Sequence, residues 1–168
     1  MSVAGVIDAA DLRAIEHQLG RMPRGCVDVA ARCQCGCPLV VRTLPRLPDG
    51  TPFPTTFYAT CPKLTAAIST LEVSGMMHQM TQRLQRDESL AASYSAAHLA
   101  YLRSRASLGE VAEIEGISAG GMPTRVKCLH VLVAHSLSVG PGVNRLGDEA
   151  LTALPKWWQG GCCLSESD

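Results

Sequence analysis

The sequence predicts an α+β fold in which a small three-stranded antiparallel sheet in the N-terminal third packs against a mainly helical remainder. Short segments rich in β-branched and aromatic residues are confined to the first third of the chain, where turn residues separate them. Beyond that third, apolar residues recur three or four positions apart, as they do on one face of a helix. We expect a single domain over residues 1–155 and a loosely ordered C-terminal tail over residues 156–168.

The predicted sheet is a meander that follows one short helix. Asp8 is a suitable N-cap for a helix over residues 9–19, and Gly20 is suited to end it. Strands are predicted over residues 27–32, 39–44 and 53–60. Because neighbouring strands of a meander are antiparallel, the first and third strands run parallel and end at the same edge of the sheet. Cys33 and Cys61, which follow those two strands, are therefore expected to lie close together.

Helices account for most of the remaining chain. The apolar spacing predicts helices over residues 63–72, 76–85, 88–108, 123–137 and 148–154. Pro62 and Pro123 fit the first turns of two of them, where the missing amide hydrogen costs nothing. Asp148 is expected to begin or cap the last helix.

The composition excludes several classes of function. The 168 residues carry 15 basic and 15 acidic side chains, so the formal net charge is zero, unlike that of a nucleic-acid-binding domain. No apolar run approaches the roughly 20 residues that span a bilayer, so we expect no membrane insertion. Residues 1–10 lack the basic and long apolar stretches of a secretory signal, and we therefore expect a cytoplasmic protein.

The chain contains eight cysteines, which rarely form structural disulfides in a reducing compartment. Cysteines there serve as metal ligands, reactive groups or small buried residues. Three stand at junctions of predicted elements: Cys33 and Cys61 after strands, and Cys128 within a predicted helix. Thiolates bind zinc, copper(I) and iron–sulfur clusters, and cysteines without a short fixed motif suit an iron–sulfur cluster. Structural zinc and a metal-free protein are the alternatives. Other cysteines are interpreted as buried or incidental, among them Cys26, Cys162 and Cys163.

The helix predicted over residues 123–137 carries two histidines. In a regular helix Cys128 and His135 lie two turns apart, roughly 10 Å along the axis, so they cannot both bind one ion. His130 points away from Cys128 in the same helix. His130 and His135 are therefore candidates for acid–base catalysis, with an ordinary polar role as the alternative.

Basic residues near the start of this helix suggest an anion site. Arg125 and Lys127, together with the N-terminus of the helix, could attract a phosphate or a carboxylate. Arg42 on the sheet could extend such a patch. A solvated basic turn is the alternative interpretation.

Three longer motifs are similar to those of a known family. They are Gly-Met-Pro-Thr-Arg-Val-Lys-Cys-Leu-His over residues 121–130, with Ala134-His135 after it, and the segments over residues 32–38 and 49–62. Over about residues 24–148 the chain resembles an uncharacterised bacterial family, catalogued as domain of unknown function 501, and looks like an actinobacterial member. The resemblance implies a cytosolic bacterial protein of this size and no assigned activity.

The resemblance also bears on the metal ligands. It implies a site at Cys33, Cys61 and Cys128, with Cys35 and Cys37 varying among members. Three thiolates suit a [4Fe–4S] cluster with one open iron. They also suit zinc with a fourth ligand from Cys35 or His130.

Our leading hypothesis is a protein whose iron–sulfur cluster performs redox or sulfur-handling chemistry beside a pocket of basic and histidine side chains. The first alternative is a non-enzymatic interaction module with a structural zinc or thiol site. The second is a metal-free enzyme with a cysteine nucleophile. An unknown protein or a small anionic ligand is the expected partner.

Overall fold

The computed structural model describes residues 7–164 and confirms the predicted α+β fold. Helix α1 (Ala9–Leu19) precedes a sheet of strands β1 (Cys26–Arg32), β2 (Pro38–Thr43) and β3 (Phe57–Ala59). The helices after the sheet are α2 (Pro62–Glu72), α3 (Met76–Arg86), α4 (Glu88–Ala106), α5 (Leu129–Val139) and α6 (Arg145–Ala153). Short 3-10 turns lie at Ala112–Ile114 and Trp157–Gly160. Within residues 7–164, every helix is too short or too polar to cross a bilayer.

The first helix has the predicted ends. The Asp8 carboxylate accepts a hydrogen bond of 2.7 Å from the amide of Asp11, which satisfies one of the free donors of the first turn. Gly20 follows the helix with a φ of 68°, a conformation that glycine adopts without a steric penalty. The helix therefore begins and ends where the residues at its two ends predict.

The sheet has the order β1-β2-β3, and both pairings are antiparallel. Arg32 pairs with Pro38 at one end of β2, and Ala59 pairs with Val40 at the same end. The C-terminal ends of β1 and β3 therefore share one edge of the sheet, as the meander predicts. Strand β3 is shorter than the predicted 53–60, because prolines in the preceding stretch lack the amide hydrogen that a ladder requires.

The two faces of the sheet pack against different helices. Val40 belongs to the main core cluster together with Leu129 and Leu132 of α5. Val41 points to the opposite face, because side chains alternate along a strand. There it lines a cavity with Leu19 of α1. Helix α5 is thus the central helix of the fold, enclosed between the sheet, α2 and α6.

Helix α5 begins six residues later than predicted. The segment from Pro123 to Lys127 is held by contacts with other elements, which occupy its backbone groups. The Tyr94 hydroxyl donates to the carbonyl of Arg125 at 3.0 Å, and the Thr81 hydroxyl accepts from the amide of Val126 at 3.0 Å. Cys128 is extended and occupies the N-cap position. The prediction that Cys128 lies inside a helix is therefore wrong.

The last long helix is capped by a different residue from the one predicted. Asn144 is the N-cap of α6, and its side-chain oxygen accepts from the amide of Gly147 at 3.0 Å. Asp148 instead lies in the first turn and accepts from the amide of Gly142 at 2.8 Å. The helix ends at Ala153, close to the predicted end.

Gly147 allows α6 to approach α5 closely. A β-carbon at this position would overlap the carbonyl oxygen of Leu132 and the hydroxyl of Ser136. Both of these atoms belong to α5, whose central turns are fully buried. The contact between the two helices therefore requires a residue without a side chain at position 147.

We expect Gly147→Ala to destabilise the protein by about 1–3 kcal/mol, the usual cost of overpacking a core. Relief of the overlap must move α6 away from α5, and this outweighs the gain in helix propensity from alanine. The free energy of unfolding from urea denaturation measures the effect. Gly160→Ala is the matched control, since its β-carbon would meet only the Lys63 amine, at 3.6 Å. Equal stability of the two variants would contradict the prediction.

Candidate metal centre

The loop between β1 and β2 contains three cysteines, of which Cys35 and Cys37 lie on either side of Gly36. The amide of Cys33 donates to the carbonyl of Cys37 at 2.9 Å, and the amide of Gly36 donates to the carbonyl of Cys33 at 2.9 Å. Gly36 has a φ of 83°, which closes this tight turn. Cys35 is exposed and Cys37 is half-buried. The hairpin therefore holds two thiols at the edge of the sheet where β1 and β3 end.

The C-terminal segment brings a second pair of thiols to the same edge. The Lys63 amine donates to the carbonyls of Gly160 and Gly161, each at 2.9 Å, and so anchors the segment to α2. The Gln18 side-chain amide donates to the sulfur of Cys163 at 3.3 Å and to the carbonyl of Pro38 at 2.7 Å. Residues 157–164 are thereby attached to α1, α2 and the hairpin.

Together these two segments form a compact group of four thiols, which we call the four-cysteine cluster: Cys35, Cys37, Cys162 and Cys163. Their Sγ atoms all lie within 4.8 Å of one another. The sulfurs of Cys37 and Cys162 are 3.4 Å apart although 125 residues separate them in sequence. Such a cluster could hold a metal ion.

The thiols of this cluster differ in their pKa values. Burial opposes ionisation of Cys35, but hydrogen bonds from the Cys37 amide and from the Cys162 thiol outweigh it and lower its pKa to about 6. Burial raises the pKa of Cys37, and hydrogen bonding to Cys162 raises it further. Burial also raises the pKa of Cys163 to about 11. The metal-free cluster therefore carries one favoured thiolate, and binding an ion would release protons.

A second convergent group lies at the start of α5. One donor atom each from Glu72, Cys128 and His130 lies within 4.8 Å of the others. The Glu72 carboxylate accepts from the amide of Leu129 at 2.7 Å and lies 3.2 Å from Nδ1 of His130. Hydrogen bonding with Cys128, followed by the charge of Glu72, raises the pKa of His130 to about 9. This region therefore favours a positive charge.

The three cysteines predicted as ligands do not converge on one point. Among residues 7–164, two groups could hold a metal: the four-cysteine cluster and the Glu72 group, which consists of Glu72, Cys128 and His130. Cys33, Cys61 and Cys128 do not form such a group. Cys33 lies beside Cys35, and the buried Cys61 lies beside Cys163. These two thiols border the cluster on the predicted edge of the sheet, whereas Cys128 belongs to the other group.

Four of the candidate donors lie outside the site that the sequence predicts. Cys37 and Glu72 have no predicted role, and Cys162 and Cys163 are expected to be incidental. One signal was present: Cys35-Gly36-Cys37 in a hairpin loop is a half-site that needs two further thiols, and a second cysteine pair lies at the other end of the chain. Glu72 has no such signal, because its partners are 57 and 58 residues away in sequence.

The predicted anion-binding residues differ in whether their charges are paired in the structure. The Arg42 guanidinium pairs with the buried carboxylate of Asp28 on the neighbouring strand, with 2.8 Å between Nε and Oδ1. Arg125 and Lys127 are exposed in the segment that leads to Cys128. The charge of Arg42 is therefore engaged within the sheet.

His135 lies in the core. Its side chain is fully buried, stacks on Phe57 with ring centroids 5.5 Å apart and meets the edge of Tyr101 at 5.1 Å. The side-chain amide of Asn144 donates to its Nδ1 at 3.2 Å. This nitrogen is therefore an acceptor, and the imidazole is held in its neutral form.

Comparison with known proteins identifies the family. Residues 29–152 match the protein family of unknown function DUF501, and the chain therefore belongs to that family. The matched residues include Cys35, Cys37 and the whole Glu72 group, and they end before Cys162. No curated protein and no solved structure matches the chain.

We expect His135 to make the fold sensitive to mild acid. Burial lowers its pKa to about 4, whereas the unfolded chain protonates near its ordinary value of about 6.5. Stability should therefore fall as the pH falls from about 6.5 to about 4, by roughly 3 kcal/mol in total. Urea denaturation across this range measures the slope.

His135→Gln should lose most of that slope between about pH 6.5 and pH 5, above the range where carboxylates titrate. The control is the same substitution at His78, which is exposed on α3 and should keep the wild-type slope. A His135→Gln variant that retains the full slope would show that another group causes the acid sensitivity.

Proposed function

We propose that this protein binds one metal ion through the four-cysteine cluster and that the ion fastens the C-terminal segment to the β1–β2 hairpin. The observation that carries the proposal is the mutual approach of four sulfurs, all within 4.8 Å, from two segments at opposite ends of the fold. The family match supplies no activity, so the proposal depends on this geometry.

The arrangement suits a metal better than a set of disulfides. A disulfide needs only two sulfurs to meet, whereas here each sulfur lies near all three others, as the ligands of a tetrahedral ion do. Cys162 and Cys163 are also adjacent in sequence, and a disulfide between neighbours is disfavoured by its geometry. A metal ion uses all four thiols without that constraint.

The spacing favours a single ion over an iron–sulfur cluster. Four thiolates at about 2.3 Å from one zinc ion lie about 3.8 Å from one another. All four sulfurs lie within 4.8 Å of one another, and the 3.4 Å between Cys37 and Cys162 is close to that value. A [4Fe–4S] cluster places iron and sulfide between its cysteines and would hold their sulfurs farther apart.

Zinc is the ion we favour, because thiolates select it and it accepts a tetrahedral set without redox chemistry. Four protein ligands leave no open position, and closed sites of this kind are structural. The proposal thus follows the structural-zinc alternative, with different ligands from those predicted, and replaces the iron–sulfur hypothesis.

The ion would stabilise a specific surface of the protein. A cavity of about 310 Å³ lies between the hairpin and the C-terminal segment. Gln34 of the hairpin lines one side, and Trp157 and Trp158 line another. Joining the two segments through a metal would keep this apolar cavity open at a fixed width.

We expect purified wild-type protein to contain zinc, and Cys35→Ser/Cys37→Ser to lose about one equivalent per chain. Elemental analysis measures zinc and iron, and a parallel assay for acid-labile sulfide detects an iron–sulfur cluster. Cobalt substitution should give the strong charge-transfer absorption of four thiolates in the wild type and not in the variant.

Cys33→Ser and Cys61→Ser are the controls, since both thiols border the cluster without belonging to it. Both should keep the metal. Loss of metal in these two variants but not in Cys35→Ser/Cys37→Ser, or about four irons and four sulfides per chain, would refute the proposal.

We also expect the metal to protect the C-terminal segment from proteolysis. Lys156 is exposed immediately before the 3-10 turn, so trypsin can cleave there once the segment detaches. Chelation should increase the cleavage rate at Lys156 at least several-fold and leave cleavage at Arg13, on exposed α1 surface, much less affected. Equal rates with and without chelator would mean that the ion does not hold the segment.

A further inference from the structure

A second set of donors, independent of the four-cysteine cluster, lies between α2 and α5. Glu72 ends α2, Cys128 is the N-cap of α5, and His130 is in its first turn. They offer one oxygen, one sulfur and one nitrogen within 4.8 Å of one another. This mixture of donors is typical of zinc sites.

The hydrogen bonds of His130 determine which nitrogen faces the other donors. Its Nε2 lies 3.2 Å from the carbonyl oxygen of Thr65, which can only accept, so Nε2 carries the hydrogen and donates it. The Ser69 hydroxyl lies 3.4 Å from the same nitrogen. Nδ1 is therefore the nitrogen directed at Glu72, and a metal that binds there would displace the proton of this nitrogen.

The Glu72 carboxylate is also held in place. Its Oε1 accepts the amide hydrogen of Leu129 at 2.7 Å, which restricts the rotation of the carboxylate beside His130. Ligating histidines characteristically donate their second ring hydrogen to a carbonyl or carboxylate, and ligating carboxylates are themselves hydrogen-bonded. Both features are present here, and they are independent of the convergence of the three donors.

We propose that Glu72, Cys128 and His130 form a second metal site, which binds a zinc-class divalent cation through three protein ligands. The side chains of His130 and Glu72 are 30% and 23% exposed, so solvent reaches the site. Three ligands leave a fourth position for water, which is the arrangement of catalytic rather than structural zinc.

The open position defines the class of ligand that the site would accept. A cation there acts as a Lewis acid toward a carbonyl or phosphoryl oxygen and lowers the pKa of its bound water. The exposed Arg125 and Lys127 in the segment before Cys128 would favour an anionic ligand. The site would therefore bind a small phosphate or carboxylate compound through the metal.

The test uses a background in which the four-cysteine cluster is disabled. In Cys35→Ser/Cys37→Ser, the remaining cobalt(II) binding reports the second site alone. We expect about one equivalent to bind, with the weaker charge-transfer band of a single thiolate. Adding Cys128→Ser should abolish that band, and adding Glu72→Gln should weaken binding at least about tenfold.

Cys26→Ser in the same background is the matched control, since Cys26 is a half-buried thiol outside both groups, and it should bind cobalt normally. Glu72→Gln retains an acceptor for the Leu129 amide, so it tests the ligand if Cys128→Ser fails to fold. Unchanged cobalt binding in Glu72→Gln would overturn the proposal. The absence of cobalt binding in a Cys35→Ser/Cys37→Ser background that folds would also overturn it. Rapid alkylation of Cys128 at neutral pH would then indicate a metal-free nucleophile. Either failure leaves the four-cysteine cluster, tested in the wild type, unaffected.

Discussion

The burial of helix α5 is the constraint on which the rest of the structure depends. Its residues from Leu129 to Ser136 include a nearly continuous buried run, so the helix cannot turn one polar face to solvent and must be enclosed by other elements. The sheet covers one side, α2 another, and Gly147 lets α6 close a third. The position of α5 then determines where the side chains of Cys128 and His130 lie.

Enclosing α5 also explains the polar groups within the core. Aromatic rings contact His135 on two sides, and the side-chain amide of Asn144 donates a hydrogen bond to its Nδ1. Asn144 caps α6 with its other side-chain atom. One buried amide therefore links the two helices and makes Nδ1 of the histidine an acceptor, because the nitrogen of an amide side chain can only donate.

The two donor groups differ in their types of ligand and in how firmly the fold positions them. The four-cysteine cluster consists of one type of ligand and comes from two short segments, which the Gln18 and Lys63 side chains hold at the edge of the sheet. The group of Glu72, Cys128 and His130 is built on helix ends that the core already positions, and it keeps access to solvent. In our proposal a metal would strengthen the junction between the first pair of segments, whereas at the second site it would bind to positions that the core already fixes.

The sequence alone determined the elements whose causes are local. Asp8 caps the start of α1 with its side chain and Gly20 ends it with its backbone conformation. The sheet order follows the order of the strands in the chain. Both features were predicted correctly. The start of α5 was wrong because Tyr94 and Thr81 occupy the backbone of residues 125–126 from a distance. Only the tertiary structure decided which cysteines converge and that Glu72 meets His130. The local pattern at Cys35-Gly36-Cys37 indicates half of one group but not its partners, since these contacts join residues tens of positions apart through the packing of whole elements.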